Sequence, residues 1–125
     1  MILLLDAHAL LCALVDPEQL ATEARAAIEQ PANDVIVSAA SIWELEIKRA
    51  AGRLRFDVEL TDELTRVAIS IVPITAADAT AAARLPLHHR DSFDRVLVAQ
   101  ASRVGAVLVT KDEVFEQYDV DVLRA

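Results

Sequence analysis

Four acidic residues of this chain follow apolar runs directly or stand near the start of the next helix. They are Asp6, Glu44, Asp94 and Asp112. In a parallel α/β sheet, the carboxyl ends of the strands open on one crevice. Carboxylates crowded into a crevice repel one another unless cations neutralise them. The pattern therefore predicts a divalent-metal site at this edge of the sheet.

The elements that position these acids are apolar runs separated by helical segments. We expect strands at 2–5, 35–37, 71–74, 107–109 and, more weakly, 120–123. Unbroken apolar runs suit strands that are covered on both faces. Their alternation with helices predicts a three-layer α/β/α fold, with a mainly parallel central sheet of about five strands and right-handed crossovers. We expect one domain over residues 1–125.

Composition narrows the functional class. A hydrophobic content of 54% excludes disorder, and the net charge of -8 argues against a simple basic nucleic-acid groove. It does not exclude an enzyme that reaches phosphates through bound cations, because the ions reverse the local sign. The single cysteine, Cys12, rules out an internal disulfide and fits a reducing cytoplasm. We expect neither a secretory signal after Met1 nor a membrane span.

Each acid also has a structural interpretation. Asp6 is placed to cap a helix that runs from Ala7 to Val15. Glu44 is the fourth residue of a capping-box pattern that begins at Ser41, and it can pair with Lys48 one turn later. These alternatives stay open for each acid alone, but their joint occurrence after successive strands favours the metal site.

The acids at the start of the predicted helix 93–104 are harder to explain as caps. Asp91 and Asp94 stand three residues apart, so one can cap the helix while Arg90 or Arg95 pairs with either. However, this helix is apolar nearly all round, and a carboxylate at the end of a buried helix is costly unless it is paired or bound to metal. Asp112 can cap the short turn at 113–117.

The histidines and the tryptophan carry weaker signals. His8, His88 and His89 lack the spacing of a zinc site, and we interpret the last two as a solvated loop or as phosphate contacts, with the loop favoured. Trp43 lies at helical spacing with apolar neighbours that form a core or dimer stripe and not a base-stacking platform: Ile47, Ala50 and Ala51.

The order and spacing of several segments resemble the PIN-domain ribonucleases, specifically the VapC-type toxins of bacterial toxin–antitoxin pairs. The resemblance covers almost the whole chain. It lies in residues 4–11, 38–44, 85–95, 99–101 and 108–112, and in Tyr118. The family commonly has Thr or Ser in place of Ala7 and Pro in place of Ser92, so a hydroxyl near the first acid is missing here.

The resemblance implies a cytoplasmic, metal-dependent endoribonuclease and toxin that works as a homodimer and is blocked by a cognate antitoxin. The matching acids would bind Mg²⁺ or Mn²⁺ and carry catalysis: Asp6, Glu44, Asp94 and Asp112. Asp91 is an additional candidate ligand. One or two ions would activate water for in-line attack on an RNA phosphodiester. We further expect phosphate contacts from Arg95, Thr110 and Lys111.

Three other functions could use an acidic α/β domain of this kind. A phosphorelay receiver needs an acceptor aspartate after its third strand, where Thr75 stands. A haloacid-dehalogenase-type phosphatase needs a second acid where His8 stands. A catalytically silent binding module of the same fold stays open as an alternative.

Overall fold

Five parallel strands form one sheet in the computed structural model, which describes all residues, Met1–Ala125. The strands are β1 (Ile2–Leu5), β2 (Asp34–Ser38), β3 (Ser70–Val72), β4 (Val107–Thr110) and β5 (Val122–Arg124). Their order across the sheet is β3-β2-β1-β4-β5. This confirms the predicted parallel sheet of five strands.

Six α-helices connect the strands. They are α1 (Ala7–Val15), α2 (Thr22–Glu29), α3 (Ala39–Ala50), α4 (Leu60–Arg66), α5 (Ala76–Arg84) and α6 (Ser92–Val104). Two short 3-10 turns lie at Pro17–Gln19 and Glu113–Gln117. No helix is both long enough and apolar enough to cross a membrane.

Alternate side chains of the strands enter two separate cores. Leu3 and Leu5 of β1 pack in a cluster with residues of α1 to α4, whereas Leu4 packs in a second cluster with Leu97 and Val98 of α6. Both faces of the central strands are therefore covered, as their unbroken apolar sequence predicts. The arrangement is the predicted three-layer α/β/α fold.

The register of the central strands brings their carboxyl ends together. Leu5 of β1 pairs with Val37 of β2 on one side and with Val109 of β4 on the other. The residues that follow these three positions therefore emerge side by side: Asp6, Ser38 and Thr110. This edge of the sheet is where the sequence places its acids.

The edge strand β3 departs from the prediction. We expected an apolar strand over 71–74 with both faces covered, but β3 spans Ser70–Val72 and Ile71 is 42% exposed. It pairs with β2 alone, and Pro73 has no N–H with which to extend the ladder. Similarly, β5 begins at Val122, two residues later than the apolar run at Val120.

Asp16 before Pro17 has the sequence of a helix start, but no α-helix begins there. Pro17–Gln19 forms only a 3-10 turn, and the carboxylate of Asp16 accepts from the Gln19 side-chain amide at 2.8 Å instead of capping backbone N–H groups. The α-helix begins later, at Thr22. By contrast, Thr75 starts α5 with a complete capping box to Asp78, as its sequence predicts.

Candidate metal centre

Asp6 joins β1 to α1 and is buried, with 8% of its surface exposed. Its Oδ1 accepts the Ala9 amide at 2.8 Å, which confirms the predicted cap, and its Oδ2 accepts the Thr110 hydroxyl at 2.6 Å. Burial raises the pKa of the Asp6 carboxyl, while these two hydrogen bonds act in the opposite direction. Asp6 is thus an ionisable group held rigidly where water reaches it poorly.

Asp94 lies in the first turn of α6. The cap of α6 is Asp91, whose Oδ1 accepts the amides of Phe93 at 2.8 Å and Asp94 at 3.4 Å. Burial is the main cause that raises the pKa of Asp94 to about 7, and the negative charges of Asp91, Glu44 and Asp6 add to it. These carboxylates are therefore close enough to repel one another.

Glu44 joins this cluster from α3. The helix begins at Ala39 with Ser38 as its cap, so Glu44 lies in the second turn and the capping box predicted from Ser41 is wrong. Its predicted ion pair is confirmed, since Lys48 Nζ lies 2.7 Å from Glu44 Oε2. After burial, which is the main cause, the charge of Glu44 also raises the pKa of both Asp6 and Asp94.

Asp112 reaches the cluster through His89. It caps the turn Glu113–Gln117 by accepting the Val114 amide at 3.0 Å. Its Oδ2 lies 2.8 Å from His89 Nε2, and the same nitrogen lies 3.0 Å from Asp94 Oδ2. One imidazole therefore links the acid after β4 to the acid at the start of α6.

His89 is the site residue that sequence reasoning missed. It stands 23 residues from Asp112 along the chain, on the loop between α5 and α6. Its spacing along the chain matches no zinc site, and the sequence predicts for it a solvated loop or a phosphate contact. The one signal in the sequence is that His89 stands just before the acidic segment at the start of α6. Its second partner, Asp112 after β4, comes near only in the folded chain.

The predicted phosphate contacts have different positions. The Arg95 guanidinium is buried and donates to five backbone carbonyl oxygens of residues 82–89, at 2.8 to 3.4 Å. Its donors are used to hold the loop, and the expected phosphate contact stays a prediction. Thr110 is also buried, with its hydroxyl donated to Asp6, whereas Lys111 is exposed and stays a predicted contact.

The donor set suits a hard divalent cation. Carboxylate oxygens are the ligands that Mg²⁺ prefers and that also suit Mn²⁺. A cation among Asp6, Glu44 and Asp94 would offset the repulsion that raises the pKa of Asp94. The family commonly has a hydroxyl side chain at the position of Ala7, which this chain lacks. A different hydroxyl, that of Thr110, donates to Asp6 here.

The arrangement defines an acidic site at the carboxyl edge of a parallel sheet, and the family follows from the whole chain. The model of the PIN domain family matches residues 3–121. The chain therefore belongs to the PIN domain family. Membership in this family excludes the phosphorelay receiver and the haloacid-dehalogenase-type phosphatase as alternatives. No curated protein matches the chain.

Solved structures show the same fold. One is VapBC2 from Rickettsia felis, which was solved bound to a DNA fragment from the VapBC2 promoter. It matches with a TM-score of 0.71 at 15% identity, over 99% of this chain and 98% of that chain. FitAcB from Neisseria gonorrhoeae matches with a TM-score of 0.61 at 23% identity, over 98% and 96%. FitAB bound to the IR36 DNA fragment matches with a TM-score of 0.60 at 20% identity, over 99% and 94%.

Proposed function

We propose that this PIN domain is a divalent-metal-dependent endoribonuclease, the toxin of a type II toxin–antitoxin pair, and that a cognate antitoxin neutralises it. The observation that carries the proposal is the approach of two acids at this edge of the sheet, since ligand oxygens of Asp94 and Asp112 lie within 4.8 Å of each other. Burial, together with the charges of neighbouring acids, raises the pKa of Asp94 to about 7. A structural carboxylate would be expected to have a cationic partner. Asp94 instead faces other acids and one imidazole.

Each acid has a proposed role. Asp6 and Asp94 are the main metal ligands, Asp112 completes the site, and Glu44 holds a ligand water or orients the nucleophile. Asp91 uses Oδ1 to cap α6, which leaves its other oxygen as an additional ligand. When bound, Mg²⁺ or Mn²⁺ supplies a Lewis acid for the phosphoryl oxygen and lowers the pKa of a water for in-line attack.

Charge supports a metal-assisted route to a polyanion. The chain carries a net charge of -8, so RNA is repelled at long range unless cations reverse the sign locally. Lys111 is exposed directly after β4 and next to Asp112, where it would stabilise a phosphate. This arrangement favours binding of substrate together with the ion.

The antitoxin partner is proposed from a resemblance in sequence that the likeness in fold accompanies. The sequence segments resemble VapC-type toxins, and the solved structures of the same fold include VapBC2 and FitAB, both bound to DNA fragments. Their identity to this chain is low, so they support the fold, and the partner is inferred from the motif resemblance.

The decisive experiment compares the chain with its Asp94→Asn variant on a mixed RNA pool with Mn²⁺, with and without a chelator. We expect cleavage by the chain, loss of it on chelation, and a fall of at least about 100-fold in the variant, because a neutral amide binds the ion poorly. Growth arrest on expression should disappear with the same change.

Asp62→Asn is the matched control, since Asp62 is an exposed acid of α4 and its change removes the same charge. It should cleave RNA as the unchanged chain does. Undiminished cleavage by Asp94→Asn would contradict the mechanism. A chain that binds Mn²⁺ but cleaves no RNA would support the binding-module alternative.

A further inference from the structure

The loop between α5 and α6, residues 85–91, carries a histidine to which the proposed chemistry gives no role. His89 projects from this loop so that Nε2 lies 2.8 Å from Asp112 Oδ2 and 3.0 Å from Asp94 Oδ2. The two acids belong to separate elements, the end of β4 and the start of α6. The imidazole therefore bridges two sides of the site.

The position of His89 is fixed by contacts along its whole length. Its backbone amide donates to the Tyr118 hydroxyl at 2.8 Å, and that hydroxyl donates to the Pro86 carbonyl at 2.8 Å. Its carbonyl accepts the Arg95 guanidinium at 3.2 Å. Its ring packs on Phe115 with centroids 5.5 Å apart. A side chain held from so many directions is preorganised for a task in the site.

The surroundings of the ring determine which nitrogen carries the proton. His89 Nδ1 accepts the Asp91 amide at 3.2 Å. A neutral imidazole has one donor and one acceptor nitrogen, so the proton lies on Nε2 and is donated toward the two carboxylates. A metal-ligating histidine ordinarily donates its other ring N–H to an acceptor. The Asp91 amide is a donor, and this favours His89 as a hydrogen-bond donor over His89 as a ligand.

We propose that His89 is a positioning residue, which holds the carboxylates of Asp94 and Asp112 together through its Nε2–H and so fixes the separation of two metal-binding acids. The inference rests on the proposed function, since it concerns the same acids. It also gives Arg95 and Tyr118 a purpose, because both anchor the loop that presents His89.

Asp112 depends most on this contact. Its side chain is 41% exposed, with Oδ1 bound to the Val114 amide and Oδ2 facing His89, so removal of the imidazole leaves Oδ2 to solvent. Groups that orient metal ligands contribute about 10- to 100-fold to metal affinity. Loss of His89 should therefore weaken metal binding without removing a ligand.

The test uses Mn²⁺ alone, titrated into the full chain and followed by the EPR signal of the free ion. The variants are His89→Ala, His89→Gln and His88→Ala. Gln retains an N–H donor, and His88 is the adjacent residue of the same loop, whose ring packs on Tyr118 with centroids 5.1 Å apart. We expect His89→Ala to raise the Kd for Mn²⁺ roughly 10- to 100-fold, His89→Gln to recover much of the loss, and His88→Ala to change it by less than about twofold.

Two spectroscopic readouts separate positioning from ligation. ¹⁵N NMR of the metal-free chain should show His89 protonated at Nε2, a result that does not require any variant to fold. Pulsed EPR of the Mn²⁺-loaded chain should show no coupling between the ion and an imidazole nitrogen of His89. The spectra of the unchanged chain and of His89→Gln should therefore show the same nitrogen coupling. A coupling to the His89 imidazole, an Nδ1–H tautomer, or an unchanged Kd in a folded His89→Ala would each overturn the proposal.

The outcomes also distinguish this proposal from the proposed function. An unchanged Kd in His89→Ala, with RNA cleavage intact in the unchanged chain, overturns the positioning role alone. Failure of the unchanged chain to take up Mn²⁺ overturns both.

Discussion

At the scale of single residues, Asp94 couples the chemistry of the site to the stability of the fold. A buried carboxyl among other acids is destabilised in its charged form. The pKa of Asp94 is about 7 in the folded chain, whereas an aspartate in an unfolded chain titrates near 4. Acids at functional sites commonly have a pKa shifted in this way.

This shift predicts how stability depends on pH. Because the folded pKa lies above the unfolded one, the stability that protonated Asp94 contributes is present below pH ~4 and is lost as pH rises through about 7. In chelator, Tm should fall between pH 5 and pH 8. The upper limit is about 4 kcal/mol over the full range, which partial exposure reduces.

Asp94→Asn should flatten this dependence, whereas Asp62→Asn should leave it intact. Added Mn²⁺ should raise the Tm of the unchanged chain more at pH 8 than at pH 5, because the ion binds the ionised carboxylates. Differential scanning calorimetry across pH checks all three expectations. An equal slope in Asp94→Asn would show that other groups carry the effect.

Single residues also show what the sequence could and could not predict. Asp6 was predictable, because its neighbours along the chain define both the strand end and the cap. The Thr110 hydroxyl on Asp6 was not, since 104 residues separate the two. The contacts of His89 and Arg95 were not predictable either, because their partners are brought near only by the folded loop at 85–91.

At the scale of elements, α5 and α6 are joined away from the site by an ion pair between a buried acid and an exposed arginine. Asp78 is 1% exposed and accepts from Arg103 Nε at 2.6 Å and Nη2 at 3.0 Å, and from Gln100 Nε2 at 3.3 Å. The Arg103 hydrogen bond is the main cause that lowers the pKa of Asp78 to about 2. This pair holds α6, whose first turn carries Asp94, against α5.

Removing this pair should destabilise the chain without altering the site. We expect Asp78→Ala to cost about 2 kcal/mol, because it removes a charged hydrogen-bond acceptor at a buried position and the capping box of α5. Urea unfolding at pH 7 measures this loss. Since the folded pKa is depressed, the contribution of Asp78 should be lost as pH falls from about 4 toward about 2.

Glu63→Ala provides the comparison for that experiment. Glu63 pairs with Arg66 on exposed α4 at 2.7 Å, and exposed pairs contribute little. A loss as large as that of Asp78→Ala would contradict the argument from burial. Equal unfolding free energies for Asp78→Ala and the unchanged chain would contradict it as well.

The elements themselves were predictable where burial is symmetric. β1 and β4 are covered on both faces, so their unbroken apolar runs identify them. β3 is an edge strand, and its exposed Ile71 follows from its place in the sheet, which no local pattern encodes. The turn at Pro17–Gln19 has helix-start chemistry, but the chain turns away after three residues.

At the scale of the whole molecule, α3 presents an apolar strip to solvent. Trp43 is 60% and Ile47 is 39% exposed, and Ala50 and Ala51 are exposed as well. The core role considered for this strip is therefore wrong, and the dimer role stays a prediction. Trp43 rests edge-on against Phe93 with centroids 5.2 Å apart, next to the acids of the site. An apolar strip of this kind on a monomer commonly marks an interaction surface.

A homodimer formed through this strip would report on itself, because Trp43 is the only tryptophan. We expect its fluorescence to shift to shorter wavelength as chain concentration rises, in step with dimer formation in sedimentation. Each copy carries a charge of -8, so added salt should strengthen the association by screening repulsion.

Ile47→Glu should shift the equilibrium to monomer, because a two-fold contact places each change twice in the interface. Leu87→Glu, at a residue 82% exposed on the loop before α6, should leave it unchanged. A dimer that Ile47→Glu does not weaken, with solvent-exposed Trp43 emission at every concentration, would place the contact elsewhere.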